Sequence, residues 1–375
     1  MLFFNKISQQ SFLDQYWQKK SYLIPQAFKN IDLPFDAGDL AGLAMDTDAP
    51  TRLMIEHDKE DWEIKTAPFE ESDFTSLPDT HWTLLVNDIE RYFPSLKKFI
   101  KPFQFIPHWR MDDLMISYAP DKGSVGPHLD QYDVFLIQVS GKRRWKLITH
   151  NDYPKAMVKD CPLALLQEFK ADQEYLLEAG DILYLPPNLP HYGIAEGECM
   201  TLSVGFRSPC IQDLMQDWLT SFEDNPDFKK RYADNRRLAQ THTGEISQPD
   251  MQNLLNWMEQ AIEQQKAGLT LWLGQHLSQA CLDQEPEINP NLNFNPDTHY
   301  QRLAGIRFNY YQAEQQLYFF AQGEHFKCDL NLLKALQFLS QQQQYSCNEL
   351  QPFIQQSDFI ILFNQLLKAG FIYEN

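Results

Sequence analysis

Val125-Gly-Pro-His-Leu-Asp-Gln-Tyr-Asp-Val-Phe-Leu-Ile-Gln-Val139 carries a His-x-Asp pair at the head of an apolar run that only Gln138 interrupts. In extended chain, residues i and i+2 project to the same face. His128 and Asp130 therefore converge on one point, while Leu129 faces away to pack. Further on, Val139-Ser-Gly-Lys-Arg-Arg-Trp145 reads as a hairpin leading into a second strand, Arg144–Ile148. Similar short runs rich in β-branched and aromatic residues occur at Leu114–Tyr118, Ile182–Leu185 and Met200–Phe206. Several short strands at this spacing, with no helix between most of them, predict an antiparallel barrel or jelly roll.

A metal ion needs a ligand beyond the His-x-Asp pair, and His191 is the best candidate. It ends Gly180-Asp-Ile-Leu-Tyr-Leu-Pro-Pro-Asn-Leu-Pro-His191, in which a Gly-Asp turn feeds a strand that two prolines terminate. Two histidines and a carboxylate form a facial triad, which leaves three coordination positions for co-substrate and dioxygen and so favours iron over zinc. The other eight histidines show no ligand spacing with one another. In the strand after the expected hairpin, Arg143, Trp145 and Leu147 share one face, and Arg144, Lys146 and Ile148 share the other. Parity places Arg143 inside. A guanidinium on an apolar face needs an anion, either a bound dicarboxylate or a carboxylate of the protein itself.

Helical stretches at Ser11–Trp17 and Leu84–Tyr92 are expected to pack outside the barrel. After Pro209 the pattern turns helical, with Met251, Leu254, Leu255, Met258 and Ile262 at three- and four-residue steps along one face. The Pro- and Asn-rich stretch 285–297 reads as a linker. Beyond it lie a helix around Leu332–Phe338, a capping-box pattern at Ser346–Glu349, a helix over Phe359–Lys368 that stops at Gly370, and a strand at Phe371–Tyr373. That is a winged-helix-like order. The expected division is 1–210 for a mainly β, cupin-like catalytic domain, 211–283 for a helical dimerisation region, and 284–375 for a winged-helix-like α+β domain.

A length of 375 residues accommodates two or three domains, and 43% hydrophobic residues with 13% aromatics describe an ordinary globular chain. We read no signal peptide, and no apolar run approaches the roughly 20 residues that span a bilayer. Six scattered cysteines suit neither a disulfide framework nor a zinc knuckle, so a reducing cytoplasm is the expected location. The formal charge of -19 disfavours duplex DNA and anionic membranes as partners and favours a basic one, although solubility alone would also explain it.

Taken in order, Trp109–Ser117, Val125–Phe135, Gly141-Lys-Arg-Arg-Trp145, Gly180–Pro187 with His191, and Ser203-Val-Gly-Phe-Arg207 resemble the JmjC-type cupin oxygenases, and within them the bacterial ribosomal oxygenases. The resemblance is nearest to members that hydroxylate an arginine of ribosomal protein sixteen of the large subunit. It covers about the central hundred residues and extends to the overall layout. It implies that His128, Asp130 and His191 bind Fe(II), that Arg143 anchors the distal carboxylate of 2-oxoglutarate, and that Ser117 contacts the same co-substrate. It also implies a homodimer and an arginyl substrate in a basic ribosomal protein. Carboxylates or aromatic faces near the iron would receive such a side chain, and Asp121, Tyr132 and Asp133 are nearest in sequence. The loop Ala119–Ser124 is less glycine-rich than the resemblance leads one to expect.

Other readings stay open. A cupin isomerase would share the barrel but would not need Arg143, and a demethylase or a histidine or asparagine hydroxylase would share the triad. A winged-helix regulator of nucleic acid is disfavoured, because residues 284–375 hold five Lys/Arg against nine Asp/Glu. A non-catalytic scaffold would require a vestigial triad, and no ligand position is degraded.

Overall fold

The run Val134–Val139 is buried along its whole length because both faces of its strand are covered. The computed structural model describes residues 2–374 except 5, 47–48, 59–60, 160, 162–163, 236, 240 and 281–284. The chain divides into two compact units, Met1–Ser208 and Pro209–Asn375.

In the first unit nine strands form one antiparallel sheet: β1 (Tyr22–Ile24), β2 (Thr51–Asp58), β3 (Asp61–Thr66), β4 (Trp82–Val86), β5 (Met111–Ala119), β6 (Asp133–Leu147), β7 (Gln173–Glu178), β8 (Ile182–Leu185) and β9 (His191–Phe206). Their order is β1-β8-β6-β9-β5-β4-β2-β3, with β7 paired to β6. Phe135, Ile137 and Val139 pack into a core shared with Phe12 of α1 (Gln9–Gln15), Leu40 of α2 (Ala37–Asp46), and Phe99 and Phe103. Val134 and Leu136 face the other way, among Trp145, Leu147, Leu177 and Leu183. A strand covered on both sides needs no polar alternation, so it reads as a continuous apolar run.

The expected hairpin at Val139–Trp145 does not form. β6 continues through it, pairing first with β8 and residues 200–206 of β9, then with β7 and residues 191–196 of β9. Gly141 adopts a φ of 64° and Gly197 one of 73°, and the register between β6 and β9 shifts beside them. A Cβ on Gly141 would stand 2.1 Å from the Glu198 carbonyl oxygen, so no other residue fits there without displacing β9. A bulge of this kind bends both strands together and alters which residues face inward. Val134 and Leu136 face inward before the bend, and Arg143 and Trp145 after it.

The helix expected over Leu84–Tyr92 is also corrected, because Trp82–Val86 is β4, hydrogen-bonded between β2 and β5, and only Ile89–Tyr92 is helical. Central pairing outweighs the helical spacing of these residues. Strands β2 and β3 were not anticipated.

Asp133, with no exposed surface, begins β6 and gathers a polar network beneath the sheet. Its carboxylate accepts from the Tyr184 hydroxyl (2.6 Å), Gln18 Nε2 (2.9 Å) and Arg110 Nη2 (3.0 Å), while the Gln18 amide donates to the Tyr184 oxygen (2.7 Å). The network ties three separated segments to one strand end.

In the second unit, α3 (Ile211–Thr220) precedes α4 (Gln248–Ser278), which Ser247 caps by accepting the Asp250 amide. The first turns of α4 leave Met251, Leu255, Met258 and Ile262 exposed, whereas Gly274 lies flat against the Phe320 ring. Phe320 belongs to a three-stranded sheet of β10 (Phe308–Gln312), β11 (Leu317–Ala321) and β12 (Glu324–Cys328) that the sequence reading missed. A second sheet joins Tyr300–Arg302, Gln344–Tyr345 and Ile372–Glu374. Around it stand α5 (Leu333–Gln341), α6 (Cys347–Leu350), whose Glu349 carboxylate accepts the Ser346 amide at 3.0 Å, and α7 (Ser357–Lys368). No described helix is long and apolar enough to cross a membrane.

Removing one partner of a buried charged network leaves the others unpaired, at a cost of about 3–5 kcal/mol. Asp133→Ala should therefore lower the stability of the first unit by about that amount, read from the urea midpoint; a shift under about 1 kcal/mol would show that the network contributes little.

Candidate metal centre

His128 and His191 lie 63 positions apart in the chain but are joined by a two-way backbone bridge. Each amide donates to the other's carbonyl at 3.0 Å. The Asn188 amide, whose residue adopts a φ of 60° after Pro186 and Pro187, donates to the Asp130 carbonyl at 2.6 Å and ties the loop before His191 to the segment carrying the other two side chains. Gly126, at a φ of 78°, gives the turn ahead of His128 and sits against the Leu165 side chain.

The side chains follow from this backbone. His128 Nδ1 lies 2.9 Å from the Gly126 carbonyl and His191 Nδ1 lies 2.9 Å from the Leu189 carbonyl, so each Nδ1–H donates and each Nε2 lone pair is left free. The Asp130 carboxylate stands between them, 3.8 Å from His128 Nε2 and 3.5 Å from His191 Nε2. All three ligand atoms fall within 4.8 Å of one another. Burial, and after it the neighbouring His128, pushes the His191 imidazole down to about 4, so it is neutral as a metal ligand must be. This donor set fits one divalent metal ion held on one side, with its remaining positions open.

These residues open onto a cavity of about 240 Å³ that Ser117, Arg143 and Trp145 also line. Arg143 is 3% exposed, and its Nε and Nη2 have no hydrogen-bond partner among the described residues. Its guanidinium carbon lies 5.9 Å from the centre of the Trp145 ring. A buried guanidinium without a protein carboxylate is a receptor for an external anion. Ser117 on β5 is likewise buried, and its hydroxyl donates to the Thr201 carbonyl at 3.3 Å.

Sequence reasoning missed Arg52, Asn87 and Asp113, which also line the cavity. Asp113 was accessible to the same alternation argument, since it shares a strand face with Met115 and Ser117. It accepts from Asn87 Nδ2 at 2.5 Å, and burial raises its carboxyl to about 6. Tyr132 lines the cavity as well; burial first, and then the Asp130 carboxylate, holds its phenol proton more tightly. Asp133 is corrected: its side chain points into the network under the sheet, one residue out of phase with Tyr132 and Val134. Asp121 is corrected too, because it accepts the Gly197 amide at 2.8 Å on the surface turn of β9 and does not line the cavity.

Next to Asp113 in charge terms is Glu90, whose Oε2 is buried without a hydrogen-bond partner among the described residues. Burial, aided by Asp88 and Asp113, raises its carboxyl to about 7. The folded state then binds more protons than the unfolded state between pH 4.5 and 7, so this group's contribution to stability falls as pH rises through that window. Glu90→Gln should match the parent protein near pH 4.5 and be more stable by about 2 kcal/mol at pH 8, as judged by thermal or urea unfolding. Equal stability at pH 8 would mean that Glu90 ionises without penalty.

A family model for the JmjC domain matches residues 98–214, which contain β5 through β9 and the side chains of His128, Asp130, His191, Ser117 and Arg143. A model for an AraC-like ligand binding domain matches residues 170–280. The chain is 35% identical over 313 residues to the ribosomal protein uL16 3-hydroxylase of Escherichia coli, covering 79% of this chain and 80% of that one. It is also 35% identical over 251 residues to a probable ribosomal oxygenase of Haemophilus influenzae, covering 66% and 62%. A solved structure of YcfD, a ribosomal oxygenase from Escherichia coli in complex with cobalt and 2-oxoglutarate, superposes with a TM-score of 0.78 over 99% of both chains at 29% identity. On this identity, coverage and fold, the chain belongs to the JmjC ribosomal oxygenases.

Proposed function

We propose that this chain is an Fe(II)- and 2-oxoglutarate-dependent hydroxylase of an arginyl side chain in ribosomal protein uL16. His128, Asp130 and His191 hold the iron, Arg143 anchors the distal carboxylate of 2-oxoglutarate, and Ser117 lines its binding site. One observation carries the reading: a buried guanidinium with unpartnered nitrogens shares a small cavity with a His-Asp-His cluster. The cobalt and 2-oxoglutarate bound to YcfD support it. A cupin isomerase would have no use for the anion receptor.

Iron and 2-oxoglutarate, when bound, supply the oxidising chemistry. The chain's residues position and exclude. His191 and Trp145 keep one wall dry, Arg143 sets the orientation of the dicarboxylate, and the Nδ1 bonds to Gly126 and Leu189 fix the imidazole planes. Asp113 and Tyr132 offer a carboxylate and an aromatic ring to a guanidinium entering the cavity, which supports arginine over a neutral side chain. The charge of -19 speeds encounter with a cationic ribosomal protein and penalises acidic competitors. A ribosomal substrate places the enzyme in the cytoplasm.

For the remainder we keep the division into a catalytic domain to residue 210, a dimerisation region over 211–283 and a winged-helix-like part over 284–375. The exposed Met251, Leu254, Leu255, Trp257, Met258 and Ile262 of α4 support a homodimer. The net negative charge of 284–375 supports a role other than duplex DNA binding.

Incubation with uL16, Fe(II), 2-oxoglutarate and dioxygen should add one oxygen atom to an arginine-containing peptide, as seen by mass spectrometry. His128→Ala, Asp130→Ala and His191→Ala should each abolish the product and weaken iron binding, since three ligands leave no redundancy. Asp113→Asn should raise the KM for uL16 about tenfold through loss of a charge-assisted contact, with 2-oxoglutarate affinity retained. Product on histidine, asparagine or lysine peptides alone would make this a sister hydroxylase or demethylase. Light scattering should give twice the chain mass at micromolar concentration, and a monomer would count against the role of α4.

A further inference from the structure

We propose that the indole N–H of Trp145 is a second donor to the carboxylate that Arg143 receives. The inference rests on the reading of the cavity as a 2-oxoglutarate site. Trp145 is 4% exposed and lines the cavity, and its Nε1 is buried without an acceptor among the described residues. Such a group is rare in a native interior, because an unmade buried hydrogen bond is destabilising and indole can only donate. Here it occurs two positions from an arginine with the same deficit, on the same face of β6.

The surroundings show why the indole cannot turn to a protein acceptor. A Cβ on Gly193 would lie 2.7 Å from Trp145 Cζ3 and Cη2 and 2.9 Å from Cε3, so the six-membered ring is seated flat on the glycine of the paired strand. Nε1 belongs to the other ring, on the edge away from those three carbons. The His191 ring, 5.8 Å away, and the Arg143 guanidinium, 5.9 Å away, bracket the indole. Two other donors in the cavity are already used: the Ser117 hydroxyl donates to the Thr201 carbonyl and the Thr201 hydroxyl to Gln138 Oε1. A carboxylate offers about four lone-pair positions, and a bidentate guanidinium fills two of them. The indole N–H supplies a third bond from a side chain with little rotational freedom to lose.

The test is 2-oxoglutarate binding to the Mn(II)-loaded protein by calorimetry, with no turnover involved. Trp145→Phe keeps an aromatic ring and removes only the donor and the five-membered ring. It should weaken 2-oxoglutarate about tenfold while Mn(II) affinity holds and the metal-free protein stays folded, its melting temperature lowered only by the packing lost with the five-membered ring. In an Arg143→Met background the same change should cost much less, as expected of two donors to one acceptor group. A second measurement avoids substitution. In the Zn(II)-loaded, ¹⁵N-labelled protein, one of the eight indole N–H resonances should shift downfield and become protected from exchange on adding 2-oxoglutarate. Equal affinity in the parent and Trp145→Phe proteins, or no moving indole resonance, overturns the inference. Parallel loss of Mn(II) binding and melting temperature assigns Trp145 a structural role and overturns it also. If the parent protein binds Mn(II) but not 2-oxoglutarate, the co-substrate reading itself fails.

Discussion

The two-way backbone bridge between His128 and His191 is the contact on which the centre depends. An ion between two imidazoles and a carboxylate tolerates little error in their separation, and two reciprocal amide-to-carbonyl bonds set it at the level of the main chain. Side-chain rotation is then restricted by the two Nδ1 bonds to Gly126 and Leu189. The Asn188 amide extends the same logic to Asp130, so the loop between β8 and β9 braces all three ligand positions.

That bridge requires β6 and β9 to lie alongside each other for their full lengths, and this is the work of the bend at Gly141 and Gly197. Without it, β6 would continue the alternation of Val134 and Leu136 and place Arg144 and Lys146 inside. With it, Arg143 and Trp145 enter the cavity, and the displaced cations pair outside with Glu174 and Glu196. One bulge therefore decides which of three adjacent basic residues is buried. The cost of burying Arg143 alone is substantial, and the fold offsets it through the leucines of its surroundings and the core beneath the sheet.

The cavity carries both signs of charge: the Arg143 guanidinium lines it together with the carboxylates of Asp130 and Asp113 and the Tyr132 ring. Glu90 does not line the cavity, and burial makes its carboxyl hold its proton to about 7, while Asp113 ionises above about 6.

Several parts of this were legible in the sequence alone, because they depend only on strand periodicity or on local chemistry. The shared direction of His128 and Asp130, the shared face of Arg143 and Trp145, and the rigid Pro-Pro approach to His191 are properties of a few adjacent residues. The capping box at Ser346 and Glu349 is of the same kind. Other features were decided by the tertiary structure. The continuous course of β6 through Gly141, the strand at Trp82–Val86 and the burial of Asp133 each depend on partners far away in the chain. Alternation within a strand follows from backbone dihedral angles that each residue imposes on itself, so the sequence determined it. Register between strands is set by the summed packing of both faces and by where a bulge is tolerated, so only the folded chain could bring His191 to His128 and turn Asp113, but not Asp133, toward the cavity.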